Sequence, residues 1–386
     1  MARWGIILAL ALGRVAFGFQ FQTLASLGPE LVRVFGLDFA TLGTLIGLYM
    51  APGILIALPG GLLGRRYGER WVVGGGFALM AAGALMAAAA AGPDGIGAGR
   101  ALSGAGAVAL TVMQGKMASD RFHGKPFVMV MGLLVGMFPM GVGLAGLALQ
   151  PVLHFWGWPG MFVVGGGIAA LAAVVLLISV RAAGPRVPHD GPRWALPSRP
   201  ECVLAGVAGL IWTAYNAGYY GFLSYMPSLL AARGHPAALT ALVLTVATWT
   251  NLPATVLGGW LAGRFGGGWV FIAGSVAMVV TVAGAAELDW PLVWGVLFGA
   301  FASIHAGVIV ALGTLSARPH NRAVGMGVFY SVYYVGGTVL PWVCGRAADG
   351  AGTPAGALLA GAGLASLSVP CYALHRSLMK RVPAGS

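Results

Sequence analysis

Apolar residues run along this chain in twelve long blocks, bounded by glycine, proline or charge, and each is long enough to cross a bilayer as a helix. The blocks lie near residues 4–28, 40–63, 71–92, 96–117, 126–149, 158–180, 202–230, 237–261, 269–286, 291–316, 323–345 and 355–376. The pattern predicts twelve transmembrane helices with short connectors and no soluble domain. One position breaks it: Arg14 stands near the middle of the first block. A guanidinium at that depth costs several kcal/mol, so its presence predicts a polar cavity and an anionic guest.

Composition strengthens this picture. Hydrophobic residues make up 58% of the 386, charged residues only 8%, and mean hydropathy is +0.86, where soluble domains carry roughly 25% charged residues. Cys202, Cys344 and Cys371 have neither metal-ligand nor disulfide-framework spacing. The first block lacks a small-residue cleavage site and is expected to be a retained helix.

The net charge of +12 follows from orientation rather than from nucleic-acid binding. With both termini cytoplasmic, 17 of the 22 Lys and Arg residues fall on the inner side, whereas Glu30, Asp38, Asp94, Glu287, Asp289 and Asp349 fall outside. The expected location is a bacterial inner membrane. The longest polar stretch, 181–200, is rich in proline and glycine and reads as a cytoplasmic linker between six-helix bundles at 1–180 and 201–386.

The two halves repeat at a shift of 198 residues. Gly60-Gly61-Leu62-Leu63-Gly64-Arg65-Arg66-Tyr67-Gly68-Glu69-Arg70-Trp71-Val72 aligns with Gly258-Gly259-Trp260-Leu261-Ala262-Gly263-Arg264-Phe265-Gly266-Gly267-Gly268-Trp269-Val270. Such a repeat implies two similar bundles facing each other across a central site.

At these residues the chain resembles the major facilitator superfamily. Gly61-x-Leu63-x-x-Arg66-x-Gly68-x-Arg70 is similar to its loop 2–3 signature, Arg100-x-x-x-Gly104-x-Gly106 to its helix 4 motif, and Gly132-x-x-x-Gly136-x-x-Pro139-x-Gly141-x-Gly143 to its helix 5 pattern. Lys116-Met-Ala-Ser-Asp120-Arg-Phe122 and Pro52 to Gly61 resemble the cyanate-permease and nitrate/nitrite-porter-like branches. The resemblance implies an all-α membrane fold of two pseudo-symmetric six-helix bundles that works by alternating access. Its loop signature assigns gating or conformational roles to Arg66, Gly68, Glu69, Arg70 and Arg264. The chain departs from that signature, with Arg65 and Gly263 where the family carries Asp.

The family's cavity is lined by the first and fourth helices of each half, here spans one, four, seven and ten. On helical spacing Arg14 and Gln22 lie on or beside one face of span one, and Trp212, Asn216, Tyr219 and Tyr220 on the matching face of span seven. Arg100 begins span four, and His305 lies deep in span ten with a ring able to titrate physiologically. These eight residues are the substrate-binding candidates, with Arg14 the central charge because its fork matches a carboxylate or other oxyanion. Tyr330, Tyr333 and Tyr334 in span eleven could line the path, but an aromatic stripe at helical spacing is more often packing. No Asp or Glu falls in mid-span, which favours an anion as cargo.

The expected function is secondary active transport of a small anion, such as a short organic carboxylate, cyanate or nitrate. A proton-driven exporter of hydrophobic drugs or metabolites is the alternative. Catalysis, metals and cofactors are not expected. The expected partners are the anion, a proton or counter-anion, and the lipid bilayer, with the chain acting as a monomer.

Overall fold

The computed structural model describes residues 2–57, 67–119, 121–122, 125–183, 198–318 and 322–381, and the described residues are almost entirely helical. In chain order the helices are α1 (Ala2–Ser26), α2 (Gly28–Phe35), α3 (Phe39–Gly47), α4 (Pro52–Ile56), α5 (Glu69–Ala88), α6 (Pro93–Ser119), α7 (Lys125–Ala183), α8 (Arg199–Ala232), α9 (Ala237–Trp249), α10 (Asn251–Phe265), α11 (Gly267–Glu287), α12 (Pro291–Ile304), α13 (Ala306–Leu315), α14 (Arg322–Ala351), α15 (Ala355–Ser366) and α16 (Ser368–Arg381).

Among the described residues, nine helical stretches meet the length and apolarity needed to cross a membrane. One of them, Met129–Ser179, is 51 residues long. It is two spans, because Gly157 leaves helical geometry (φ 65°, ψ −170°) and reverses the chain. The sequence places a break at 150–157, but helix runs on to that glycine. The other two spans are α8 and α14, of 34 and 30 residues. Both carry tyrosines, glycines and other polar residues, which lower their hydropathy. The total is the expected twelve.

The repeat of 198 residues is visible helix by helix. Gly68 (φ 83°, ψ 138°) and Gly266 (φ 89°, ψ 133°) adopt the same left-handed turn before α5 and α11, a conformation that strains any residue with a Cβ. Pro93 and Pro291 each open a helix at equivalent positions, where the missing N–H costs nothing. Spans two and eight both break near their middles, after Gly47 and at Thr250. Span eight was expected as one helix and is instead α9 followed by α10.

Large apolar side chains face outward, including Leu55 at 77% exposure and Val256 at 70%, as lipid contact requires. Inside, α1 packs along α7 and α8, and α3 packs along α14, so each joins the two halves. Apart from Trp249 Nε1 to Met140 O (3.5 Å) beside the mid-span break, the hydrogen bonds between halves lie at the end remote from the termini. There Asp349 at the end of α14 accepts from Phe39 N and Ala40 N, each 2.9 Å away. Tyr225 Oη donates to Pro341 O (2.5 Å) and lies near Phe39 O (3.2 Å). Thr245 Oγ1 reaches Gly143 O (3.2 Å), and Gln22 Nε2 reaches Leu223 O (3.0 Å). A Cβ at Gly47 would collide with the Thr338 carbonyl, so only glycine allows this approach. These hydrogen bonds close the molecule at the end remote from the termini.

Candidate functional site

Arg14 lies where α1 faces both its own half and α14. Its side chain is 9% exposed. Nε donates to Leu134 O at 3.3 Å, and Nη1 lies 3.4 Å from Thr111 Oγ1. Thr111 donates its own proton to Ala107 O at 2.9 Å and so meets the guanidinium as an acceptor. The rings of Phe17 and Phe138 stand 5.3 and 5.4 Å from the guanidinium carbon, within cation–π range. Tyr330, Tyr333 and Tyr334 of α14 lie within electrostatic range of it. Among the described residues no carboxylate pairs with Arg14; Glu30 is bound to Arg33 instead, at 2.6 Å.

The other candidates fall in different places. Arg100 is 2% exposed and bonded to backbone: Nε to Leu45 O (3.3 Å), Nη2 to Ile46 O (3.2 Å) and Nη1 to Gln20 O, with its guanidinium carbon 4.4 Å from the centre of the Tyr49 ring. The break after Gly47 brings the Leu45 and Ile46 carbonyls to it. The guanidinium thus ties spans one, two and four together and stands apart from the Arg14 cluster. Gln22 is fully buried in the closed end.

On α8, Trp212 stacks on Tyr215 (4.8 Å, 17°) and approaches Tyr333 (6.2 Å). Tyr220 Oη pairs with Tyr333 Oη at 3.1 Å, and its ring meets Phe21 of the opposite half at 5.8 Å. Asn216 turns to its own helix, donating to Trp212 O at 2.7 Å. Tyr219 is held by Asn251: the amide orientation that satisfies both ends accepts from Tyr219 Oη (2.9 Å) and points nitrogen at Ser303 Oγ, Gly299 O and Ala247 O. His305 is 1% exposed, sits at the break between α12 and α13, and meets Tyr215 and Phe271 edge-on. It lies behind Tyr215, inside the C-terminal half.

An aromatic wall on α8 and α14 therefore lies across from Arg14, with Trp212, Tyr219, Tyr330 and Tyr333 each partly accessible and Tyr330, Tyr333 and Tyr334 nearest the guanidinium. Phe138 of α7 is a neighbour of Arg14 that the sequence did not single out, and the tyrosines of α14 are the stripe it offered either as path lining or as packing. The tyrosine spacing was the available signal, but a stripe at helical spacing is equally a packing pattern.

Of the gating candidates, Gly68 makes the left-handed turn described above, and Glu69 is buried at the start of α5. Arg70 lies over Trp71 (5.5 Å), and Arg264 over Trp260 and Phe265 (both 5.7 Å). Arg66, Arg65 and residues 58–64 lie outside the described residues, as do Asp120 and linker residues 184–197.

Residues 10–341 match the Major Facilitator Superfamily. Inner membrane transport protein YajR of Escherichia coli K12 is 24% identical over 416 residues, covering 99% of this chain and 86% of its own. The 3-(3-hydroxy-phenyl)propionate transporter of the same organism is 26% identical, covering 85% and 83%. The 4-hydroxybenzoate transporter PcaK of Pseudomonas putida is 22% identical, covering 68% and 67%. Among solved structures, a bacterial homologue of the human lysosomal transporter Spinster, inward-facing and occupied, superposes with a TM-score of 0.76 at 16% identity, over 98% of each chain. The twelve spans, their internal repeat and the match along most of the sequence agree: the chain belongs to the major facilitator superfamily and is a multi-pass membrane transporter, not an enzyme.

Proposed function

We propose that this transporter carries a small organic carboxylate bearing an aromatic ring, held by Arg14 through its carboxylate and by the aromatic wall through its ring. The observation that carries the reading is a mid-span guanidinium with no carboxylate partner among the described residues. Its desolvation is left for a cargo to offset, and its fork suits two oxygens of one carboxylate. Phe17, Phe138 and the tyrosines of α14 surround that charge with aromatic surface. Nitrate or cyanate would leave that surface unfilled, whereas a ring would cover it. The two relatives whose names state a cargo carry hydroxylated aromatic acids. On this reading the partners of Arg14 across the cleft are Tyr330, Tyr333 and Tyr334, with Trp212 and Tyr220 extending the wall.

The positive-inside bias places both termini in the cytoplasm. The closed end is then external and the cleft opens inward. Segments 1–180 and 201–386 act as the two rocking bodies, joined by 181–200, and a proton or counter-anion supplies the driving force.

The test is uptake into proteoliposomes of labelled 4-hydroxybenzoate and 3-(3-hydroxyphenyl)propionate, against nitrate and cyanate. Arg14→Gln should reduce aromatic-acid transport about a hundredfold, the worth of a charge-assisted pair in a desolvated site, and Arg14→Lys should fall between. Undiminished transport by Arg14→Gln, or equal transport of nitrate by the parent, sinks the proposal.

A further inference from the structure

At the end that carries the termini, the first turn of α11, the last turn of α13 and the C-terminal part of α16 border an open pocket of about 850 Å³ that shares no residue with the Arg14 cluster. Its polar lining is donor-rich. α11 starts after the left-handed Gly266 without a side-chain cap, so its first N–H groups are left facing the pocket. Arg376 Nη1 stands 3.4 Å from the point where a Cβ on Gly268 would lie, so a guanidinium hangs over the positive end of this helix. Two like charges at one place call for an anion between them. Lys380 also lines the pocket, and among the described residues neither it nor Arg376 forms an ion pair.

His375 adds an independent and more specific feature. It is 1% exposed and lines the pocket, with Nε2 3.1 Å from Ser316 Oγ and Nδ1 without a partner. Ser316 spends its proton on Leu312 O at 2.7 Å. Nε2 must therefore be the donor, and in the neutral ring Nδ1 is an acceptor that needs a hydroxyl. The rim is apolar and turned to lipid: Trp269 is 74% exposed, Leu315 60% and Met379 41%.

We propose that this pocket binds the headgroup of an anionic, hydroxyl-bearing phospholipid such as phosphatidylglycerol. The phosphate sits among the α11 N-terminus, Arg376 and Lys380, a headgroup hydroxyl donates to His375 Nδ1, and the acyl chains lie along Trp269, Leu315 and Met379. A free phosphate satisfies the cationic part but leaves the apolar rim uncovered, which is why a lipid is favoured. The site does not depend on what the central cleft carries.

The experiment uses the full chain, delipidated in detergent and titrated with phosphatidylglycerol or phosphatidylcholine, with lipid retention read by native mass spectrometry and thermal stability in parallel. The parent should retain phosphatidylglycerol in preference to phosphatidylcholine. Arg376→Gln with Lys380→Gln, both at exposed positions, should weaken that retention roughly 30-fold, about fivefold for each basic residue at an anionic surface. Unchanged retention in the double variant overturns the proposal. So does an equal loss from Arg264→Gln, which lies outside the pocket and would signal diffuse attraction. Inorganic phosphate stabilising the lipid-free protein as much as phosphatidylglycerol does would show the ligand to be soluble phosphate, and likewise refutes the lipid site.

Discussion

Asp349→Ala should release the closed end of the transporter without unfolding it. The carboxylate accepts two hydrogen bonds of 2.9 Å from Phe39 N and Ala40 N, the first free donors of α3 in the opposite half. Charge-assisted bonds of this kind contribute roughly 1.5–3 kcal/mol each when buried. Asp349 is only half-buried, so solvent screening reduces the pair to about 2–3 kcal/mol in all. The bonds exist only while this end is shut, so their loss should raise the ratio of open to closed forms roughly 30- to 150-fold. Helix α3 keeps its own cap, because Asp38 still accepts from Thr41 N at 2.7 Å. Spin labels at Val34 and Glu287, exposed at this end on opposite halves, would report the change as a longer distance in double electron–electron resonance, with Cys202, Cys344 and Cys371 replaced by alanine. A distribution superimposable on that of the parent, in a protein of unchanged melting temperature, would refute the latch.

The remaining predictions separate structural from functional polar groups. Arg100→Met should cost about 3 kcal/mol of stability by stranding the carbonyls of Leu45, Ile46 and Gln20, lowering the melting temperature by several degrees, whereas Arg14→Gln should leave it near the parent value; thermal unfolding in one detergent compares the two. Ser224→Ala with Ser228→Ala should favour the closed form by about 1 kcal/mol for each buried, unpartnered hydroxyl removed, seen as a narrowed distance distribution with the same labels.

Much of the architecture is legible in the sequence because spans must be apolar and because the repeat preserves its punctuation: Gly68 and Gly266 turn alike, and Pro93 and Pro291 start matching helices. The depth of Arg14 was equally plain. What periodicity could not supply is where polar side chains end up when helices break. Arg100 is consumed by carbonyls that a break after Gly47 brings to it, and nothing in the apolar pattern marks that break. Asn216 lies on the expected face of α8 yet bonds back to Trp212 O, while Asn251, at another break, holds Tyr219. Asp349 carried a usable signal. An acid in the last turn of a helix opposes that helix's own dipole, so its presence hints that it serves another helix's N-terminus.

The closed end is built from opposing terms of similar size, which is what the proposed alternating access requires. Asp349 holds it shut, and Tyr225 Oη, bonded to Pro341 O of its own half, lies 3.2 Å from Phe39 O across the seam. Against them, Gln22 Oε1, Ser26 Oγ, Ser224 Oγ and Ser228 Oγ are buried where α1 meets α8 with no hydrogen-bond partner, and each unmet polar atom costs on the order of 1 kcal/mol or more. Their spacing sets Gln22 and Ser26 on one helix face and Ser224 and Ser228 on another, and the bond from Gln22 to Leu223 shows those faces in register. Water reaching this seam when the end opens would satisfy all four, so the closing bonds are offset by a hydration gain on opening. A seam of leucine would shut more firmly and turn over less readily. The balance also suits the proposed role of Arg14, which projects at mid-span from the first helix of one half toward the aromatic wall of the other. Where the two end states lie within a few kcal/mol, one anion that draws both halves together is enough to decide between them.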